Sequence, residues 1–135
     1  VEAMDLVNRD THGAATIIES NWWDPMPEDV IDKVFDEVPF PGWAFEHAAV
    51  TETSLMMYFA PELVHFERAV EAPPTEALPY FRYPLKKGDV PESGALASSL
   101  SSSAERGKII VDSVIPELVK ICTKEFKLKE QGNVL

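Results

Sequence analysis

The chain has 135 residues, enough for one compact domain, and its 45% hydrophobic and 26% charged residues are ordinary for a globular protein. Its 12 basic and 23 acidic side chains give a net charge of −11, which argues against nucleic acid and anionic membranes as partners because both require clustered cations. No apolar run approaches the roughly 18 residues of a membrane span, and no secretory signal is visible.

The N-terminal part of the chain predicts a helix, a strand and a polar loop. The first ten residues read as the end of a helix, and Gly13 is a plausible stop because glycine accepts the left-handed conformation. Residues 14–19 are short, apolar and β-branched, which predicts a buried parallel strand. In α/β sheets ligands bind beyond the carboxyl ends of strands. We therefore interpret Trp22, in the loop of residues 21–24, as a core residue. For Trp23 in the same loop a ligand contact and a core position are both open.

A short amphipathic helix is predicted next. Pro27 suits a first helical position, and Pro39 ends the segment. Valines at four-residue spacing form its apolar face: Val30, Val34 and Val38. The proline-rich loop that follows the helix delivers Trp43.

The stretch from Pro41 to Phe59 carries the candidate site. Read as a helix from Glu46, it places Glu52 on the same face as its apolar residues Ala48, Leu55, Met56 and Phe59. An unpaired carboxylate in a core would cost several kcal/mol, roughly, so Glu52 needs a partner, and His47 is the nearest candidate. A histidine, a carboxylate and Trp43 at one helix start resemble the wall of a small-molecule site. In the alternative interpretation, Glu52 lies at the edge of the buried face with its carboxylate in solvent, and His47 is an ordinary surface histidine.

The C-terminal half predicts an irregular segment and a long helix. Residues 72–93 are proline-rich and are expected to pack on a neighbouring subunit through Tyr80, Phe81 and Tyr83. Ser102 and Glu105 form a capping-box pattern that opens a helix to about Lys124. Its core stripe is expected to comprise Ile110, Val114, Leu118, Ile121 and Cys122, with a kink at Pro116.

The cysteine content and the chain ends carry further expectations. Cys122 is the only cysteine, so no internal disulfide is possible and a reducing, cytoplasmic location is expected. The chain starts with Val inside a helical pattern, as a processed chain or part of a longer one would. Residues 127–135 are expected to be a frayed tail.

Several of these segments together resemble the creatininase family of metal-dependent amidohydrolases. Trp43, His47 and the Glu-Thr-Ser run beginning at Glu52 match a family segment with Gly-Trp, a His followed by small residues, and Glu-Thr-Ser. The Asn-Trp-Trp-Asp run containing Trp23 is similar to a family segment at a strand end, with Trp23 twenty residues before Trp43. The resemblance runs from Val1 to about Phe126.

The resemblance implies a fold and an activity. The fold would be α/β, part of a three-layer α/β/α arrangement with a mainly parallel sheet, formed by residues 1–126. The activity would be hydrolysis of a cyclic amide, creatinine plus water to creatine, with two zinc or manganese ions. His47 would carry the proton, Glu52 would orient it, and Trp23 and Trp43 would bind the small-molecule substrate. The family also implies a homo-oligomer, a hexamer.

One family motif is missing from the chain. The Asn-Gly-His-x-Glu-Asn run that supplies metal ligands in the family is absent, and the chain resembles the half of the subunit that follows it. We therefore expect this chain alone to bind no metal ion and to be inactive. Two alternatives stay open: a family hydrolase for a formamide, lactone-like or peptide substrate, and a metal-free degenerate domain for binding or assembly.

Overall fold

A computed structural model describes residues 2–72, 80 and 82–128. Within these ranges the helices are α1 (Glu2–Asp10), α2 (Glu28–Val34), α3 (Val50–Phe59) and α4 (Ala104–Glu125), and the 3-10 turns are Trp43–Phe45, Pro61–Leu63 and Phe66–Arg68. None of these helices is both long enough and apolar enough to cross a bilayer.

The parallel strand predicted for residues 14–19 does not form. These residues are irregular, and no strand occurs anywhere in the part of the chain that the structure describes. A strand exists only when a neighbouring strand pairs with its backbone N–H and C=O groups. Because that neighbour is absent from the described ranges, β-branched composition alone does not produce the expected sheet.

The chain divides into two compact units, and the first contains the two chain ends, Val1–Met26 and Val114–Leu135. Its helix α1 stops where the sequence predicted. His12 and Gly13 both have positive φ, 52° and 76°, and the Gly13 N–H donates to the Asn8 carbonyl at 2.9 Å. This bond satisfies a carbonyl that the end of the helix would otherwise leave without a partner.

The C-terminal part of α4 also belongs to the first unit. The helix continues past Pro116, which lies inside it, and it ends in a similar cap, with Lys127 at φ 52° and the Leu128 N–H bonded to the Thr123 carbonyl at 3.0 Å. Cys122 is exposed, so its predicted packing role is wrong. The predicted frayed tail lies outside the described residues from position 129 onward.

The second unit, Pro27–Ser113, contains a small apolar core. Helix α2 begins at Glu28, one residue after the predicted start at Pro27, and ends at Val34, earlier than the predicted stop at Pro39. The core side chains come from α2, from the start of α3 and from α4: Val30, Val34, Phe35, Ala49, Val50 and Ile110.

The buried face of α3 differs from the predicted one. Its buried residues are Val50, Thr51 and Ser54, whereas Met56 and Phe59 on the predicted stripe are 45% and 63% exposed. The reason is the close approach of α4 to the side of α3 that carries small and polar residues. Ser54 Oγ accepts a bond from the Ser103 N–H at 3.1 Å, beside the first turn of α4.

The start of α4 is fixed by side chains of the serine-rich lead. Ser103, rather than the predicted Ser102, caps the helix, because its Oγ accepts the Arg106 N–H at 3.2 Å. Ser102 is buried and donates to the Val50 carbonyl at 3.3 Å. The largely buried Arg106 guanidinium pairs with Asp36 at 2.5 Å and with Glu37 at 3.1 Å, which ties α4 to the segment that follows α2.

Gly107 provides the first test of this packing. A Cβ at Gly107 would lie 2.1 Å from the Ser54 carbonyl oxygen and 2.8 Å from Tyr58 Cβ, so α3 and α4 would have to separate. We expect Gly107→Ala to lower the free energy of unfolding by about 1–3 kcal/mol, although alanine is the better helix former. Urea unfolding measures the change. Glu105→Ala, on the exposed side of the same turn, is the control, and equal stability of the two variants would contradict the close contact.

Candidate functional site

The loop before α3 begins with an aromatic cluster in the second unit. Phe35 at the end of α2 contacts Phe40, and Phe40 contacts Trp43, each with ring centroids 4.9 Å apart. Gly42 has φ 89°, a conformation that side chains rarely adopt, and its carbonyl accepts the Phe45 N–H at 2.9 Å. The partly buried Trp43 is therefore held at the start of a 3-10 turn.

The next residues form a tight turn rather than the helix start that the sequence predicted. Helix α3 begins at Val50, not at Glu46. Ala48 has φ 54°, a left-handed conformation that costs a non-glycine residue about 1–2 kcal/mol and interrupts any helix. His47 consequently lies outside α3, in an exposed turn.

Two carboxylates hold this turn from opposite directions. Glu46 reaches forward, and its Oε2 accepts the Thr51 N–H at 2.8 Å and the Thr51 hydroxyl at 2.5 Å. Glu52 reaches back, and its Oε2 accepts the Ala48 N–H at 2.6 Å. His47 lies between them, and its carbonyl accepts the Leu96 N–H at 3.1 Å. We call residues 46–52 the carboxylate turn.

The carboxylate turn brings His47 and Glu52 together, as expected, but not in the core. His47 Nδ1 lies 3.8 Å from Glu52 Oε2, and the two side chains are 67% and 40% exposed. The prediction that Glu52 faces the core is wrong, because its side chain is 40% exposed. Its hydrogen-bond partner is the Ala48 N–H, a donor of the turn itself. An exposed imidazole beside a carboxylate can exchange a proton with a molecule bound from solvent.

Glu46 is a site residue that the sequence did not reveal. Only 6% of it is exposed. Burial raises the pKa of its carboxyl above the ordinary value, opposed by the bonds from Thr51 and the backbone. Its Oε1 is buried and has no hydrogen-bond partner among residues 2–72, 80 and 82–128. An acidic residue just before a helix is a usual capping signal. The predicted helix begins at Glu46 itself, so the sequence does not assign this role to Glu46.

Trp23 belongs to the first unit, whereas the carboxylate turn belongs to the second. It is partly buried and contacts Trp22 edge to face, with ring centroids 5.4 Å apart. Asp24 closes the loop by accepting the Asn21 N–H at 2.8 Å.

The described residues of this chain do not fit a metal centre. Among residues 2–72, 80 and 82–128 there is no group of three His, Cys, Asp or Glu side chains that could hold a metal ion. In particular, the carboxylate turn offers one imidazole and two carboxylates that already accept hydrogen bonds from the turn itself.

Comparison with known proteins identifies the family. Residues 2–122 match the family model for creatininase, creatinine amidohydrolase. The chain belongs to the creatininase family. It is 32% identical to the creatinine amidohydrolase of Pseudomonas putida, in an alignment that covers 93% of this chain and 50% of that protein.

Solved creatininases resemble the chain in structure as well. A Zn-Zn form matches with a TM-score of 0.86 at 31% identity, and a manganese form with 0.82 at 31% identity. Each alignment covers 93% of this chain and 50% of the solved chain. The chain thus spans about half the length of the creatininases that it matches.

The raised pKa of Glu46 predicts a pH dependence of stability. Because the folded carboxyl binds its proton more tightly than the unfolded one, the Glu46 contribution is fully present below the ordinary value of 4.5. It is lost as pH rises through the raised pKa. Glu46→Gln removes this titration, so the wild-type chain should lose stability relative to the variant over that window. Urea unfolding at pH values from 4.5 to above the raised pKa measures the difference in the free energy of unfolding. Glu62→Gln, a change at an exposed position, is the control. A constant difference between wild type and Glu46→Gln would contradict the burial of Glu46.

Proposed function

We propose that this chain is part of a metal-dependent cyclic amidohydrolase that converts creatinine and water to creatine. The observation that carries the proposal is the carboxylate turn, which holds an exposed His47 within 3.8 Å of Glu52 in a chain of the creatininase family. The alternative substrates within the family are a formamide, a lactone-like compound or a peptide. They require the same proton transfer, but each has a different shape that the walls of the site must fit.

His47 carries the proton in this proposal. Opening the ring breaks the amide C–N bond, and the departing nitrogen must receive a proton that comes from the attacking water. Histidine can take up and release a proton near neutral pH. Because the carbonyl of His47 is bonded to Leu96 and its side chain is exposed, the backbone is fixed while the imidazole can reach a bound molecule.

Glu52 stabilises the positive charge that His47 acquires. Its Oε2 lies near His47 Nδ1 but is also bonded to the Ala48 N–H. That bond fixes the carboxylate, so it does not have to reorganise when the imidazole becomes charged. Glu52 is therefore an orienting and charge-stabilising group, and the Nε2 atom of His47 remains to exchange the proton.

Trp23 and Trp43 are proposed to bind the flat ring and to exclude water. Tryptophan supplies a large apolar face for such a ring. Two of the solved creatininases similar to this chain carry single tryptophan replacements at positions twenty residues apart. Trp23 and Trp43 have the same separation, which supports assigning them as the corresponding pair.

The metal ions belong to the complete enzyme in this proposal. Solved relatives are of Zn-Zn and manganese types, whereas the described residues of this chain do not fit a metal centre. The contribution of this chain is therefore that of its own side chains, which bind the ring and move the proton.

The proposed assembly follows the family. We propose that residues 1–126 complete a three-layer α/β/α subunit and that the subunits form a homo-oligomer, a hexamer by resemblance. Residues 72–93 are the proposed contact segment. Tyr80 and Tyr83 are 56% and 92% exposed, which supports it, while Phe81 and residues 73–79 lie outside the described part.

An intact-mass measurement followed by an assay tests the function. The protein isolated from cells that express its native gene should have about twice the 15.1 kDa mass of this chain and should hydrolyse creatinine in preference to formamide, lactone and peptide substrates. A native protein of 15.1 kDa without a partner chain would favour the degenerate domain instead.

The isolated chain should bind no catalytic metal. We expect the purified 135-residue chain to retain less than stoichiometric zinc or manganese after dialysis and to leave creatinine intact, because it lacks a ligand group among its described residues. Elemental analysis and a creatine assay measure both. Stoichiometric zinc or manganese on this chain would show that the ligand set had been misjudged.

In the active protein, His47→Asn should lower turnover by about 100-fold or more, the usual scale for a lost acid–base group, with unchanged metal content. His65→Asn is a matched control, since His65 is also exposed and lies 3.3 Å from a carboxylate, that of Glu67. Its turnover should remain near that of wild type. Normal turnover in His47→Asn would exclude the catalytic role, and lost metal would make His47 a ligand.

A further inference from the structure

The stretch for which the sequence predicted a strand has backbone groups without hydrogen-bond partners. Within the part of the chain that the structure describes, the N–H and C=O groups of residues 15–19 take part in no hydrogen bond. Ile17 and Ile18 are half-buried, so water reaches this stretch only in part. A row of such groups is what the edge of a sheet presents to another strand. We call residues 15–19 the unpaired segment.

The unpaired segment already has the side-chain alternation of a strand. An open groove of about 270 Å³ in the first unit is lined by Ala15 and Ile17 but not by Thr16. Residues at alternate positions share a face in an extended backbone and not in a helix. Met4 and Asn8 of α1 line the same groove. One face of the segment is therefore turned towards a helix, as in a layered α/β arrangement.

The hydrogen bonds that are missing define the kind of partner. Five consecutive residues with unpaired N–H and C=O groups require donors and acceptors at regular spacing, which the backbone of a neighbouring strand supplies. The segment is also apolar and β-branched at Ile17 and Ile18, a composition that packs well within a sheet. Residues 2–72, 80 and 82–128 contain no strand that could be this neighbour.

The length of the solved relatives indicates where the neighbouring strand comes from. Half of each solved creatininase has no counterpart in this chain, although the half that matches does so with a TM-score of 0.86. We call the part of a creatininase subunit to which this chain does not align the complementary half. It is long enough to contain the neighbour, because a strand needs only about 5–6 residues.

We propose that residues 15–19 form a β-strand by pairing with a strand of the complementary half of the subunit. Backbone hydrogen bonds then hold the two halves of the subunit together at this segment. The strand ends directly before the loop that carries Trp23, so the pairing also fixes the start of that loop. The proposal rests on the proposed place of this chain in a larger subunit, but it does not require that the subunit hydrolyse creatinine.

Hydrogen exchange read by mass spectrometry tests the pairing. The isolated 135-residue chain is compared with the protein isolated from cells that express its native gene. We expect the amides of residues 15–19 to exchange as fast as those of an unfolded peptide in the isolated chain, and about 100-fold or more slowly in the native protein. The amides of α3 are the control, because their bonds lie within one helix of this chain and should protect them in both samples.

Proline replacement shows which edge of the segment is paired. A strand with one neighbour uses the N–H groups of alternate residues for pairing, and proline removes the N–H. At least one of Ile17→Pro and Ile18→Pro should lower the midpoint of thermal unfolding of the native protein by about 4 °C or more. In the isolated chain both should change it little, because the N–H groups have no partner there. Ile17→Val and Ile18→Val keep the N–H and are the matched controls.

The outcomes separate this proposal from the proposed function. Slow exchange of residues 15–19 in a native protein that prefers another substrate would support the pairing and refute only the creatinine assignment. Fast exchange in a native protein of about twice 15.1 kDa would overturn the pairing, even if that protein hydrolyses creatinine. Unchanged midpoints in both proline variants would overturn it too. Protection in the isolated chain that rises with its concentration would make a second copy the partner, and a native protein of 15.1 kDa without a partner chain would leave no complementary half. Either result would also overturn the proposal.

Discussion

The bond between the buried Glu46 carboxylate and the first turn of α3 is the constraint on which the rest of the second unit depends. The first N–H groups of a helix have no partner within it, and Thr51 finds one in Glu46. The bond starts α3 at Val50 and leaves His47 in the turn. The carboxylate is also favoured by the helix dipole, yet its pKa is raised because burial outweighs its hydrogen bonds. A carboxyl group buried against this desolvation cost fixes the geometry of the turn through its two bonds with Thr51.

The contact between α3 and α4 explains why the apolar stripe of α3 was a poor guide to its buried face. Gly107 lets the α4 backbone meet the Ser54 carbonyl directly, and Ser102 and Ser103 bond to α3 at Val50 and Ser54. Small polar residues can be buried when their hydrogen bonds are satisfied, and they permit closer packing than leucine or methionine. Met56, Tyr58 and Phe59 of α3 consequently remain exposed.

Features set by local chemistry were predictable from the sequence, and features set by distant partners were not. Pro27 and the serine-rich lead marked the starts of α2 and α4 because caps and prolines act within one turn. The strand at residues 14–19 required a neighbour that composition cannot supply. In the candidate site, His47 was the nearest candidate partner of Glu52 along the sequence, and the two side chains lie 3.8 Å apart. The role of Glu46 did not, because it depends on the positive φ of Ala48, which a helical periodicity excludes.

The carboxylate turn places two like groups, six positions apart, in opposite environments. Glu52 is partly exposed beside an imidazole, while Glu46 is buried against an apolar cavity, and environment rather than residue type sets what each carboxyl does. The two sides of the turn are joined by short bonds, Thr51 to Glu46 and Ala48 to Glu52. Any second arrangement of this turn would have to break at least one of those two bonds, because they fix both carboxylates to the backbone on either side of His47.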